Sequence, residues 1–174
     1  MLQLYKSLVR PHLEYANQLW APYLVKHTTA IENVQRRMTR MIPGMSGLDY
    51  EERLRSLELP TLAYRRLRGD LIETYKITTD HYIRCITHNL FQLSNTSSTR
   101  GHHLKITKQR PRTTKCQNSF FFRVVDSWNA LPDNIVQSPT IKTFESRLDK
   151  HLNNHAIKYD FRARPSLTRS LNHV

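Results

Sequence analysis

The chain has 174 residues, 39% of them hydrophobic, and carries 27 Lys and Arg against 14 Asp and Glu, for a formal charge of +13 and a pI of about 10.1. That length fits one domain or a small domain with an extension, and the charge favours polyanionic partners: RNA, DNA or acidic lipid heads. Cys85 and Cys116 are too few for a disulfide framework, no long apolar run spans a bilayer, and Met1–Trp20 carries Arg10, His12 and Glu14 in place of a signal-peptide core; a soluble intracellular protein of nucleus or cytoplasm, without a membrane partner, is expected.

Leu2–Val9 reads as a helix, with Leu4, Tyr5 and Leu8 apolar. Pro11 either starts a fresh turn or kinks a longer helix toward Trp20, and Pro22 interrupts it. Over Ile31–Ile42, the apolar residues Ile31, Val34, Met38 and Met41 recur at helical spacing, with Arg36, Arg37 and Arg40 off that stripe. The stripe is expected to pack on the core. Thr28 or Thr29 is the expected N-cap, and Pro43-Gly44 the stop.

Asp49 is placed to cap a short helix over Tyr50–Leu57, with Glu51 and Glu52 in its first turn and Leu54 and Leu57 as its apolar side. Pro60 and Thr61 restart the chain into a helix over Thr61–Lys76. Its stripe is Tyr64, Leu67, Leu71 and Tyr75; Arg65, Arg66 and Arg68 lie off it, and Arg66 is four residues from a potential partner, Asp70.

From Thr78 to Thr114 the periodicity weakens. Ser94–Arg100 is a Ser/Thr/Asn loop, Leu104–Ile106 reads as a short strand, and Lys105–Lys115 is a basic run with Pro111, read as an exposed arm. Order returns over Cys116–Leu131, a helix expected to bury Phe121, Val124, Trp128 and Leu131 and to stop at Pro132. Ser138-Pro139 then begins a last helix reaching Leu152, with Ile141, Phe144, Leu148 and Leu152 as its buried stripe. Beyond Asn153 a basic tail is expected to fray. The fold class expected is mainly α: a helical bundle over 1–77, a linker with a basic arm over 78–115, a smaller helical part over 116–152, and a tail over 153–174.

Three groups of cations suit phosphate: Arg36, Arg37 and Arg40; Arg65, Arg66 and Arg68; and the arm with Lys105, Lys108, Arg110, Arg112 and Lys115. Guanidinium forks match phosphate oxygens bidentately, and a basic arm binds them with little base selectivity. The alternative for the two helical groups is a solvated face with acidic neighbours such as Glu32, Asp70 and Glu73; for the arm it is a disordered loop that aids solubility, or a basic localisation signal. Tyr5, Tyr15, Trp20 and Tyr23 are read as core or interface in preference to base-stacking platforms.

His81, Cys85 and His88, with Cys116 as a distant fourth, have ligand chemistry but lack the second close pair that zinc usually takes, so no metal or other cofactor is expected. The carboxylates read as helix-start residues and arginine partners, and no Gly-rich phosphate loop exists. Neither an enzyme nor a small-molecule site is expected.

Several segments carry a family resemblance in order. The run Leu4-Tyr5-Lys6-Ser7-Leu8-Val9-Arg10-Pro11-His12-Leu13-Glu14-Tyr15-Ala16, followed by Trp20, resembles the segment just past the palm of reverse transcriptases from LINE-type, non-LTR retrotransposons, the jockey-like group included. Glu32-Asn33-Val34-Gln35-Arg36-Arg37, Tyr50-Glu51-Glu52-Arg53-Leu54 and Leu59-Pro60-Thr61-Leu62 leading into Tyr64–Asp70 are similar to the motifs that follow. So are Arg100-Gly101-His102, Phe121–Pro132 with Trp128-Asn129-Ala130-Leu131-Pro132, and Phe144 with Arg147-Leu148.

The resemblance covers residues 2–152 and implies the thumb and C-terminal region of such a polymerase. That region is a helical element beside the palm that holds the primer–template duplex. It implies RNA, DNA or an RNA–DNA hybrid as ligand and the palm and fingers as partner domains. The family's polymerase needs palm aspartates in a Tyr-x-Asp-Asp motif; this chain has no Asp-Asp pair, so no catalytic role carries over. The chain is then a truncated copy or the tail of a larger gene. The competing expectations are a module that docks on a palm or a host factor through Tyr15, Trp20 and Tyr23, and a relic without function.

Overall fold

A computed structural model describes residues 1–79, 91–94 and 102–163 of the chain. The expected ligand trio His81, Cys85 and His88 and most of the Ser94–Arg100 loop lie outside the described residues. The protein is mainly helical, as its periodicity implies, and forms two compact units. The first comprises residues 1–68 with 153–163; the second comprises the described residues from 69 to 152.

In the first unit, α1 (Leu2–Leu4) and α2 (Arg10–Glu14) are joined by a π turn over Tyr5–Val9. Pro11 accounts for it. A proline has no N–H to donate and its ring crowds the carbonyl four residues back. Widening the turn relieves that crowding, and the Arg10 N–H reaches the Tyr5 carbonyl, five residues back. Ala16, at φ +50°, then turns the chain into α3 (Asn17–Trp20).

The next helix, α4 (Val25–Arg40), begins earlier than a threonine cap would place it: Leu24 is its N-cap, no side chain caps it, and the Thr28 hydroxyl donates to the Pro22 carbonyl at 3.4 Å. The turn after it uses Gly44 at φ +81°, a conformation that favours glycine. Asp49 caps α5 (Tyr50–Ser56) in a full capping box, accepting from the Glu52 N–H at 2.7 Å while Glu52 Oε2 accepts from the Asp49 N–H at 2.9 Å. Thr61 Oγ1 accepts from the Tyr64 N–H at 3.1 Å at the start of α6 (Leu62–Thr78).

The stripe expected to bury α4 does not. Val34 is 38% and Met41 66% exposed, whereas Glu32, Gln35 and Thr39 are buried. The cause is the chemistry of the residues opposite. Tyr5 and Tyr50 are buried, and their hydroxyls need partners there. Tyr5 donates to Gln35 Oε1 at 2.6 Å and Tyr50 donates to Glu32 Oε1 at 2.6 Å. Gln35 Nε2 donates to Tyr50 Oη at 3.2 Å and to the Pro60 carbonyl at 3.1 Å. Glu32 Oε2 also accepts from the Leu62 N–H at 3.1 Å, and Arg53 Nε donates to Thr39 Oγ1 at 3.2 Å. The helix therefore turns its acceptor-bearing face inward.

Residues 153–163, expected to fray, are packed. A 3-10 turn over Ala156–Lys158 buries Ile157. The Thr61 hydroxyl donates to the Ile157 carbonyl at 2.6 Å, and the Thr61 N–H to the Lys158 carbonyl at 2.9 Å. Tyr159 and Phe161 pack against the cluster of Tyr50, Leu54 and Leu59.

The second unit holds the later turns of α6 with α7 (Thr114–Gln117), α8 (Phe120–Arg123), α9 (Val125–Asn129), α10 (Asp133–Val136) and α11 (Ile141–Leu152). The single helix expected over Cys116–Leu131 is thus three short ones. Thr113 caps the first by accepting from the Cys116 N–H at 3.2 Å, and Ser119 interrupts the run, its hydroxyl donating to the Cys116 carbonyl at 2.8 Å. Thr140 stands just before α11, its hydroxyl oxygen accepting from the Thr143 N–H at 3.2 Å; Ser138, the expected cap, donates to the Ile135 carbonyl instead.

Phe144, Leu148 and Leu152 are fully buried, as the stripe implies. Tyr75 stacks on Phe144 with ring centres 4.2 Å apart, and Trp128 lies 6.2 Å from the same ring. The expected strand reduces to one antiparallel bridge, Leu93 with Ile106. The Asn129 amide occupies the backbone of Ile106, accepting its N–H at 2.9 Å and donating to its carbonyl at 2.8 Å, so no further strand pairing is needed there.

Candidate nucleic-acid interface

Of the arginines on α4, Arg37 and Arg40 are exposed in its last turn. Arg36 is half-buried, its guanidinium 4.8 Å above the centre of the Tyr50 ring and 5.8 Å from that of Phe161, a cation–π arrangement that fixes it to the fold. The only carboxylate in α4, Glu32, is 1% exposed and faces the core. The solvent side of this helix therefore offers Lys26, Arg37 and Arg40 with no acid among them. Burial holds the Glu32 carboxyl above the usual carboxylate range, opposed by the Tyr50 hydroxyl, the Leu62 N–H and the positive charge of Arg66.

The arginines of α6 serve the fold. Arg65 forms a two-point pair with Glu14, with Nη2 donating to Oε2 at 2.8 Å and Nε donating to Oε1, and Arg10 approaches the same carboxylate at 3.8 Å. Arg66 is 7% exposed, and Arg68 is half-buried. Asp70, expected opposite Arg66, accepts two hydrogen bonds from Arg123, both at 2.9 Å.

On the arm in the second unit, Lys105 is half-buried and Lys108 donates to both oxygens of Asp126, at 2.8 and 2.7 Å. Arg110, Arg112 and Lys115 are exposed. Of the eleven cations in these groups, five combine exposure with no acidic side chain against them among the described residues: Arg37, Arg40, Arg110, Arg112 and Lys115. Burial and pairing, which periodicity alone does not reveal, separate them from the rest.

Tyr5 is core, as expected, but Tyr15, Trp20 and Tyr23 are 78%, 41% and 49% exposed. Trp20 and Tyr23, with Leu24, His27 and Ile31, line an open groove of about 390 Å³. The signal that could have located it is the polar alternative on α4: Glu32, Gln35 and Thr39 also recur at helical spacing, and two tyrosines elsewhere need such partners.

Among the described residues no three His, Cys, Asp or Glu gather as a metal site, and Cys116 is a half-buried thiol. His102 is buried with Nε2 3.1 Å from the Trp128 carbonyl, and burial lowers its pKa below the ordinary histidine value. No described helix is long and apolar enough to cross a membrane. No protein family, curated protein or solved structure matches this chain.

Proposed function

We propose that this chain is the thumb and C-terminal region of a LINE-type reverse transcriptase and that it grips the phosphate backbone of a primer–template duplex without reading its sequence. The observation that carries the reading is the acid-free solvent side of α4: Glu32 is withdrawn into the core while Arg37 and Arg40 stand in water. A phosphate approaching that side meets no carboxylate of α4.

Arg37 and Arg40 are three residues apart, about one turn, so both forks can reach oxygens along one strand. Arg36, clamped over Tyr50, positions the helix and does not compete for the ligand. Arg110 and Arg112 supply a second, weaker electrostatic attraction from the arm. Phosphate binding of this kind sets register and affinity and carries no base information. The series of motifs from Leu4 to Leu148 supports the family assignment; the missing Asp-Asp pair means this chain alone does not polymerise.

The test is binding of a labelled RNA–DNA hybrid across a salt series. The variant Arg37→Ala/Arg40→Ala should flatten the logarithmic salt slope by about two, one for each phosphate that the two arginines neutralise. Single-stranded RNA and duplex DNA run beside it decide which polymer is preferred. An unchanged slope in the variant removes α4 from the interface, and nucleotide incorporation by the purified chain refutes the non-catalytic assignment.

A further inference from the structure

The apolar side of α4 that the core rejects has a regular spacing. His27, Ile31, Val34 and Met38 follow one another within α4 at intervals of four, three and four residues, with Leu24 and Met41 as the caps at either end. That is the a/d alternation of a helix built to receive a second helix. Leu24, Val34 and Met41 are 47%, 38% and 66% exposed, and Ile31 and Met38 are half-buried. At the N-terminal end of the seam the groove of about 390 Å³, walled by Trp20 and Tyr23, widens it into a pocket for a large side chain. No described segment of the first unit covers Val34 or Met41.

Charge decides the occupant. On the side away from the core the seam is flanked by Lys26, Arg37 and Arg40, and the helix shows no carboxylate to solvent. A second copy of this chain would set the same arginines against each other under a net charge of +13 each, which opposes self-association. A partner with glutamates along one edge of an apolar stripe meets the arginines with opposite charge, the arrangement that flanking positions use to select partners.

We infer that α4 is the docking seam for an amphipathic, acidic-edged helix of another protein or domain, held by the Leu24–Met41 seam and oriented by Arg37 and Arg40. This surface shares Arg37 and Arg40 with the nucleic-acid reading and differs from it in needing the apolar row as well.

The experiment uses the full chain and three labelled synthetic peptides of about five turns, long enough to cover the seam. One has a leucine a/d stripe edged with glutamate, one has the same stripe edged with lysine, and one is the glutamate peptide with its order scrambled. Anisotropy reads binding. The glutamate-edged helix should bind saturably, and the lysine-edged and scrambled peptides at least about tenfold more weakly. Val34→Glu and Met41→Glu, at exposed positions, should each weaken it by about tenfold, with unchanged circular dichroism. Arg37→Glu/Arg40→Glu should invert the preference between the two stripes.

Equal binding of the scrambled peptide would show bare charge attraction and overturn the proposal. So would absence of saturable binding by the glutamate-edged helix, or a concentration-dependent dimer of the chain that Val34→Glu abolishes. The same two apolar variants are run against the RNA–DNA hybrid. An unchanged salt slope there separates the surfaces; an equal loss assigns the seam to nucleic acid.

Discussion

The two units are both helical, yet they cohere by different means. The first is organised around hydrogen bonds: Tyr5, Gln35, Tyr50 and Glu32 link three separate stretches of chain through short bonds at a buried centre. The second is organised around rings and aliphatic side chains, with Tyr75 stacked on Phe144 and Trp128 beside it. Apolar packing is non-directional and fails gradually as volume is removed. A buried polar cluster is directional, so it fixes one orientation of α4 and fails sharply when one member is left unpaired.

The largest expected effect lies in the second unit. Phe144→Ala removes a fully buried ring against Tyr75 and Trp128 and should destabilise by about 3–5 kcal/mol, read as a lower urea midpoint. A loss below about 1 kcal/mol would mean that the ring stack does not hold this unit together. Next, Gln35→Leu keeps the volume of the site but strands the Tyr5 hydroxyl and removes a donor to Tyr50 and to the Pro60 carbonyl. A cost of about 2–3 kcal/mol is expected; a neutral outcome would reduce the polar centre to ordinary packing.

The third prediction concerns pH. Burial raises the Glu32 carboxyl above its ordinary value of 4.5, so the folded unit holds that proton more tightly than the unfolded chain does. Its contribution is complete below pH 4.5 and is lost as pH climbs through the raised folded value. Glu32→Gln should abolish this part of the pH dependence while keeping an acceptor for Tyr50. Parallel pH profiles for the variant and the wild type would show that Glu32 does not titrate in this way. Tyr5 and Tyr50 are also raised by burial, so alkaline loss of stability from them begins above their ordinary value of 10. Smallest is Asp49→Ala, which removes an exposed cap from α5 and should cost about 1 kcal/mol in thermal or chemical unfolding.

The same contrast explains what could be read from the residues. Phe144, Leu148 and Leu152 signal their burial because apolar residues at helical spacing have one favourable place to go. Asp49 signals a helix start because its chemistry is local, requiring only Glu52 three residues on. The face of α4 is illegible by the same rules. Its apolar row is as regular as any in the chain, and the decision to bury the polar row is made by Tyr5 and Tyr50, 30 and 15 residues away from Gln35 in sequence.

The cation groups fail to sort for a similar reason. Nothing local distinguishes Arg65, held by Glu14 at a separation of 51 residues, from Arg37, which is exposed to solvent. Residues 153–163 read as tail because Ile157, Tyr159 and Phe161 recur every second residue over a run too short and too polar to mark a helix.

The bonding of Thr61 to Ile157 and Lys158 joins parts of the first unit 96 and 97 residues apart. All of the second unit's described residues lie between them in the chain. A ribosome therefore releases the second unit before the segment that completes the first. During that interval the cluster of Tyr50, Leu54 and Leu59 lacks Tyr159 and Phe161. The exposed apolar face of the nascent chain is a place for a chaperone to hold. It also makes the order of assembly vectorial: the unit that encloses the other in sequence must wait for its last stretch of chain.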